Sequence, residues 1–278
     1  MHFCVMLWGF TAIIGRTITL PAIPLVWLRM IVVTAALLLF PQFWKGLGRL
    51  SPRMIAIYFG IGLVITAHWV TFYGAIKIAN ASVAATCMAV APVIVALIEP
   101  WLVGRRFEIR ELFFGIAVIP GVAFVVGGTP AGMRAGIPVG IVSAFFAAVF
   151  SCLNKRFVTH GDAITVTGIE MAAGAVGLTF ISPKMWPSAH DGLLILILAL
   201  GCTLIPYVLS LVALRHLSAF SASLAVNMEP VYAIVLAILL LREQKELTVW
   251  FYVGVVIILT TVFAHRPTGG LATHSASS

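Results

Sequence analysis

The chain is a succession of long apolar runs separated by a few residues of charge, Gly or Pro. The runs lie near 2–20, 22–40, 54–76, 81–103, 111–127, 136–156, 163–181, 192–213, 219–241 and 248–265. Each is close to the ~20 residues a helix needs to cross the hydrocarbon core of a bilayer. That pattern leaves few folds open. A fold in water needs a polar shell, and here 9% of residues are charged and 62% are hydrophobic, where soluble domains carry roughly 25% charged residues. Lipid is the solvent that fits. In lipid each segment must satisfy its own backbone N–H and C=O groups, so the runs are read as helices.

No long polar stretch remains for a separate soluble domain. The last residues, 267–278, PTGGLATHSASS, read as a disordered tail. The first residues show no basic n-region and no A-x-A site, so the first run is expected to stay as a span. Cys4, Cys87, Cys152 and Cys202 stand singly in apolar runs, without CxxC or metal spacing, and read as reduced core residues. The net charge of +8 sits mostly in short loops, which makes it a topology signal rather than a nucleic-acid patch. With both termini in the cytoplasm, ten Lys and Arg fall inside and six outside, Arg29 being within a span. The chain is therefore expected to be a multi-pass protein of a bacterial inner membrane with both ends cytoplasmic.

An internal repeat appears when the chain is slid along itself by 138 positions. AIKIANASVAATCMAVAPV (75–93) then lies over ALRHLSAFSASLAVNMEPV (213–231), with Lys77 over Arg215 and Pro92 over Pro230. A shift of 141 pairs Leu28-Arg29-Met30 with Ile169-Glu170-Met171. The expected fold is all-α and polytopic, with ten transmembrane helices in two halves, 1–130 and 131–266. Five helices per half is an odd number, so the second half crosses the membrane in the opposite sense. That is the inverted-topology repeat common among secondary transporters.

Trp8-Gly9-Phe10, the paired segments 75–82 and 213–223, and EPVYAIVLAILLLRE (229–243) resemble the EamA family of the drug/metabolite transporter (DMT) superfamily. The resemblance covers essentially the whole chain. It implies ten helices in a basket, a central cavity, and export or exchange of metabolites such as amino acids. One departure is visible. The family's Glu after the fourth helix is replaced by Gly104-Arg105-Arg106, whereas Glu243 keeps the pattern after the ninth.

Ionisable groups inside spans are expensive and mark functional sites or partners. Glu229, near the middle of the ninth span, is a candidate for substrate-amine binding or proton coupling, and Asn227 is its neutral companion. Pro230 removes a backbone donor beside it, and Pro92 is its mate; both are expected helix breaks. His68, Trp69 and Tyr73 form an aromatic wall with one titratable group, and Tyr207 takes the place of Trp69 in the second half. Arg29 and Glu170 hold matching places. They are candidates for a structural or gating ion pair, or Arg29 alone for a substrate carboxylate. Glu99 reads as an interfacial salt bridge to Arg105 and Arg106.

The sequence implies no catalytic residue, cofactor or metal site. H-E-x-x-H, G-x-S-x-G, a Walker motif and T-V-G-Y-G are absent. The rival reading is a membrane enzyme or channel without a recognisable motif. The expected partners are the lipid bilayer and a small-molecule substrate, with no nucleic acid. The plan works as a monomer and is compatible with a homo-oligomer.

Overall fold

The computed structural model describes residues 1–104, 109–183, 185–217, 222, 225, 226 and 228–264. Its described residues are helical, with no strand. The helices are α1 (His2–Thr17), α2 (Ala22–Leu38), α3 (Pro41–Leu47), α4 (Pro52–Ile78), α5 (Ala81–Val103), α6 (Ile109–Gly128), α7 (Gly136–Phe157), α8 (Ala163–Thr179), α9 (Ala189–Leu214), α10 (Met228–Leu241) and α11 (Val249–Ala264). By length and composition, α4, α5, α9 and the span containing α7 can cross a membrane. The pair α2 and α3, bent by 89°, makes a fifth if counted as one span. The segments Ile119–Gly128, Ala163–Thr179, Met228–Leu241 and Val249–Thr261 are shorter apolar helices.

Local chemistry starts these helices where the sequence changes character. Ser51, Asn80, Asp162 and Ser188 each accept a hydrogen bond from a backbone N–H of the following first turn, which satisfies one otherwise unpaired donor. Ser51 and Ser188 stand at matching places before α4 and α9. Helix ends repeat too: Gly104 closes α5 and Arg242 closes α10, both left-handed at φ 81° and 56°. The sequence reading missed α3, whose seven residues turn away from α2 at Pro41.

Packing joins one half to the other. α2 lies on α8, α4 on α7 and α8, α5 on α7, α1 on α10, and α6 on α11. The pairs α1–α10 and α5–α7 are mates under the repeat. Small residues set these close approaches. A Cβ on Gly136 would meet the Ala79 Cβ at 2.7 Å, and one on Gly140 would meet the Cys87 side chain at 2.8 Å. A Cβ on Gly62 would meet the Glu170 backbone at 2.3 Å. With no hydrophobic drive between helices in lipid, this close contact is what holds them. Outward residues such as Trp101, Leu239 and Phe145 remain exposed and apolar, as a lipid-facing surface requires.

Candidate functional site

A cavity of about 120 Å³ runs from the middle of the bundle to Met1 and Leu214, at the end where the chain begins. Its walls come from α1, α2, α4, α5, α7, α9 and α10. Apolar and aromatic groups line most of it: Trp8, Trp69, Phe72, Met88, Phe150 and Leu211. Into this lining project Arg29, His68, Asn154, Ser210 and Glu229.

Arg29 is 3% exposed. Its guanidinium lies over the Trp69 ring, 3.8 Å from the centroid, a cation–π contact strengthened by the absence of bulk water. Nε donates to Thr203 Oγ1 at 2.6 Å and Nη1 donates to Tyr73 Oη at 2.8 Å. Thr203 is placed by a π-helical stretch, Ile197–Leu204, where its hydroxyl donates to the Leu198 carbonyl at 2.6 Å. Pro206 follows at once and cannot complete a regular turn, which accounts for the widening there. Two sides of the guanidinium are thus fixed and the rest faces the cavity.

Glu229, largely buried in α10, lies on the wall of the same cavity and makes no hydrogen bond or ion pair among the described residues. The ion pairs among those residues are Arg16–Glu246 at 3.7 Å and His190–Asp191 at 3.9 Å. Arg29 and Glu229 therefore bring a guanidinium and a carboxyl group to one space without a direct ion pair between them. His68 is held by α7: Nδ1 lies 3.0 Å from the Ser143 carbonyl and 2.8 Å from its hydroxyl. Its ring packs on Phe150, centroids 5.4 Å apart.

The expected Arg29–Glu170 ion pair is absent. Each side chain instead meets the third long helix of its own half. Glu170, fully buried, accepts a hydrogen bond from Tyr207 Oη at 2.8 Å, and Asn154 Nδ2 donates to that hydroxyl at 2.9 Å. Matching places thus put the two residues in matching local surroundings, not against each other. Tyr73 also departs from expectation. It is fully buried and outside the cavity lining, because the Arg29 guanidinium bonds its hydroxyl and takes its place on the wall.

Polar contacts gather at the opposite end of the bundle. Glu243 accepts from Ala81 N at 3.0 Å, Ser82 N at 2.9 Å and Ser82 Oγ at 2.6 Å, so a carboxylate caps the start of α5. Asn80 Nδ2 donates to Glu246 at 3.0 Å, and Thr19 Oγ1 donates to Asp191 at 2.6 Å. The repeat shows here as well. Lys77 Nζ donates to the Ile18 carbonyl just after α1. At the cavity's own end, its mate Arg215 donates to the Gly161 carbonyl after α7 at 2.8 Å.

The model of the EamA-like transporter family matches twice along the chain, over residues 1–127 and 134–264. The chain belongs to the EamA-like transporter family. EamA is a family of the DMT superfamily, so this is a membrane transporter by family. A crystal structure of another protein shares the fold at a TM-score of 0.64 and 18% identity, covering 94% of this chain and 95% of that one. No curated protein matches.

Of the residues singled out in the sequence of this EamA protein, His68, Trp69, Tyr207 and Glu229 meet at the cavity, and Arg29 joins them. Glu170 sits behind Tyr207 and Asn154. α5 breaks at Ala89–Val90, two residues before Pro92, whereas Pro230 is buried in the first described turn of α10 and does not interrupt that helix. Asn227, Arg105, Arg106 and the tail 267–278 lie outside the described residues. Sequence reasoning missed Trp8, Asn154 and Thr203 as members. Trp8 was visible in the Trp-Gly motif, where Gly9 lets α1 approach Tyr232, a Cβ there falling at 2.7 Å. Asn154, an amide within a span, carried the same kind of signal as Asn227. Thr203 carried none.

Proposed function

We propose that this chain exports or exchanges small amino-acid-like zwitterions with an apolar side chain, by alternating access of two inverted five-helix halves. The observation that carries the reading is a guanidinium and a carboxyl, not bridged to each other, in one aromatic-walled cavity. A carboxylate would take the free side of the Arg29 guanidinium in the planar, two-pronged geometry that Arg favours. An ammonium would lie against Glu229. Trp8, Trp69, Phe72 and Phe150 would cover the apolar part. A zwitterion offers an opposite charge to each of the two groups, which a singly charged ligand cannot do.

The halves supply the movement. Similar but inverted halves can exchange conformations and so move a central site from one side of the membrane to the other. In the present state the end at Glu243, Glu246 and Asp191 is bound shut by polar contacts, while the cavity extends toward Met1. The full reading comprises ten spans across an inner membrane, with both termini cytoplasmic.

Counterflow in proteoliposomes with a panel of amino acids and nucleosides tests this. Apolar-side-chain amino acids should exchange and nucleosides should not. Exchange of nucleosides with none of amino acids would overturn the substrate class.

A further inference from the structure

We propose that Glu170, Tyr207 and Asn154 form a proton-binding site set behind the cavity wall and connected to it through Tyr207. The proposal deepens the transport reading and rests on it only for its consequence, not for the site itself. Three side chains from three helices converge on one oxygen. Tyr207 Oη donates to Glu170 Oε2 at 2.8 Å and accepts from Asn154 Nδ2 at 2.9 Å. Two further buried oxygens in the cluster, Glu170 Oε1 and Asn154 Oδ1, have no hydrogen-bond partner among the described residues.

Both of these are acceptors, so the cluster is short of a donor. A proton on Oε1 converts one acceptor into a donor suited to the other. It also removes a negative charge from a fully buried position, where an unpaired carboxylate is costly. A metal ion is a poor alternative, because it would need about six oxygen ligands and two are unpartnered here.

The neighbouring helices supply no compensating charge. From α4, Tyr58 faces this region, and its hydroxyl donates to the Phe157 carbonyl at 2.8 Å. From α2, the Arg29 guanidinium is held by Thr203 and Tyr73. From α3, Lys45 is exposed. From α7 and α9 come Asn154 and Tyr207, while Lys155 on α7 donates to the Leu214 carbonyl and Arg215, just after α9, to the Gly161 carbonyl, each at 2.8 Å. No described cation lies within ion-pair distance of Glu170.

Tyr207 and Asn154 line the cavity and Glu170 does not. The hydroxyl is therefore the connection. A proton received by Oη from a hydronium in the cavity, as the hydroxyl's own hydrogen passes to Oε2, leaves water and an unchanged tyrosine beside a neutral carboxyl, and a half-turn of that carboxyl carries its O–H to the place of Oε1. The reverse step returns the proton. Glu170 would then load and release a proton separately from the substrate charges at Arg29 and Glu229, giving net flux a coupling ion.

Infrared pH titration of the purified full chain in lipid nanodiscs tests the site without any transport. We expect a protonated-carboxyl C=O band that disappears as pH rises. It should be lost in Glu170→Gln, retained in Glu229→Gln and shifted in Tyr207→Phe. Should Glu170→Gln fail to fold, the shift in folded Tyr207→Phe carries the assignment. No band that responds to these changes, or a band that stays through the whole pH range, overturns the proposal. In proteoliposomes, Glu170→Gln should keep phenylalanine counterflow and lose accumulation driven by a pH gradient. Accumulation at the wild-type level would overturn the coupling role. Failure of the wild type to move any amino acid would count against the substrate reading alone, and the infrared result would still decide the site.

Discussion

Arg29 and Glu170 hold the same place in the two halves, yet one faces the cavity and the other lies behind it. In the first half the guanidinium reaches past Tyr73 and stacks on Trp69. In the second, the shorter carboxyl stops at the hydroxyl of Tyr207, the residue matching Trp69. The scaffold is shared, but the chemistry is opposite in sign. A duplicated fold thus supplies two equivalent positions, and substitution turns them into different parts. In the reading proposed above, one recognises an anion and the other holds a proton.

The same contrast appears at the helix ends. Glu243 follows α10 and caps α5 with three hydrogen bonds, whereas Arg105 stands at the matching place after α5. If the first of these ends depends on its carboxylate, Glu243→Gln should cost about 2 kcal/mol. An amide keeps one acceptor but leaves another buried N–H unpaired and removes the charge from the helix start. A lowered thermal midpoint in detergent checks this, and Arg105→Gln serves as the comparison, with little change expected.

A smaller effect separates Gly104 from Arg242. Both close a helix in the left-handed region, at φ 81° and 56°. Glycine adopts that region freely, while other residues lose about 1 kcal/mol there. Nothing lies within 4 Å of a Cβ at Gly104, so the cost of Gly104→Ala is conformational alone. Gly104→Ala should lower stability and Arg242→Gly raise it, each by about 1 kcal/mol. Equal and opposite shifts in thermal midpoint would support the match; shifts of the same sign would break it.

The apolar helices were legible because their runs approach the length a bilayer sets, and four of them, or five if α2 and α3 count as one span, are long and apolar enough to cross a membrane. The short α3 was not, because seven apolar and basic residues carry too little periodicity to stand out from a loop. The cavity was partly legible, since polar groups such as Glu229 and His68 are scarce in the spans and have few other uses. Tyr73 was misplaced for a physical reason. Helical spacing fixes which face a side chain shares, but not which longer side chain from another helix will cover it. The absent Arg29–Glu170 pair teaches a related point. Sequence symmetry gives equivalent surroundings, and only packing decides whether equivalent residues touch.

The central claim is that Arg29 and Glu229 read the two ends of one zwitterion. It is tested most directly by measuring the affinities of phenylalanine, phenylethylamine and phenylpropionate for the purified full chain, for Arg29→Met and for Glu229→Gln. Each charged contact should contribute about 1.5–3 kcal/mol, so the wild type should prefer phenylalanine to either analogue by at least about tenfold. Arg29→Met should lose the preference over phenylethylamine, and Glu229→Gln the preference over phenylpropionate. Equal binding of all three ligands by the wild type, or an equal loss for all three in both variants, would contradict the account.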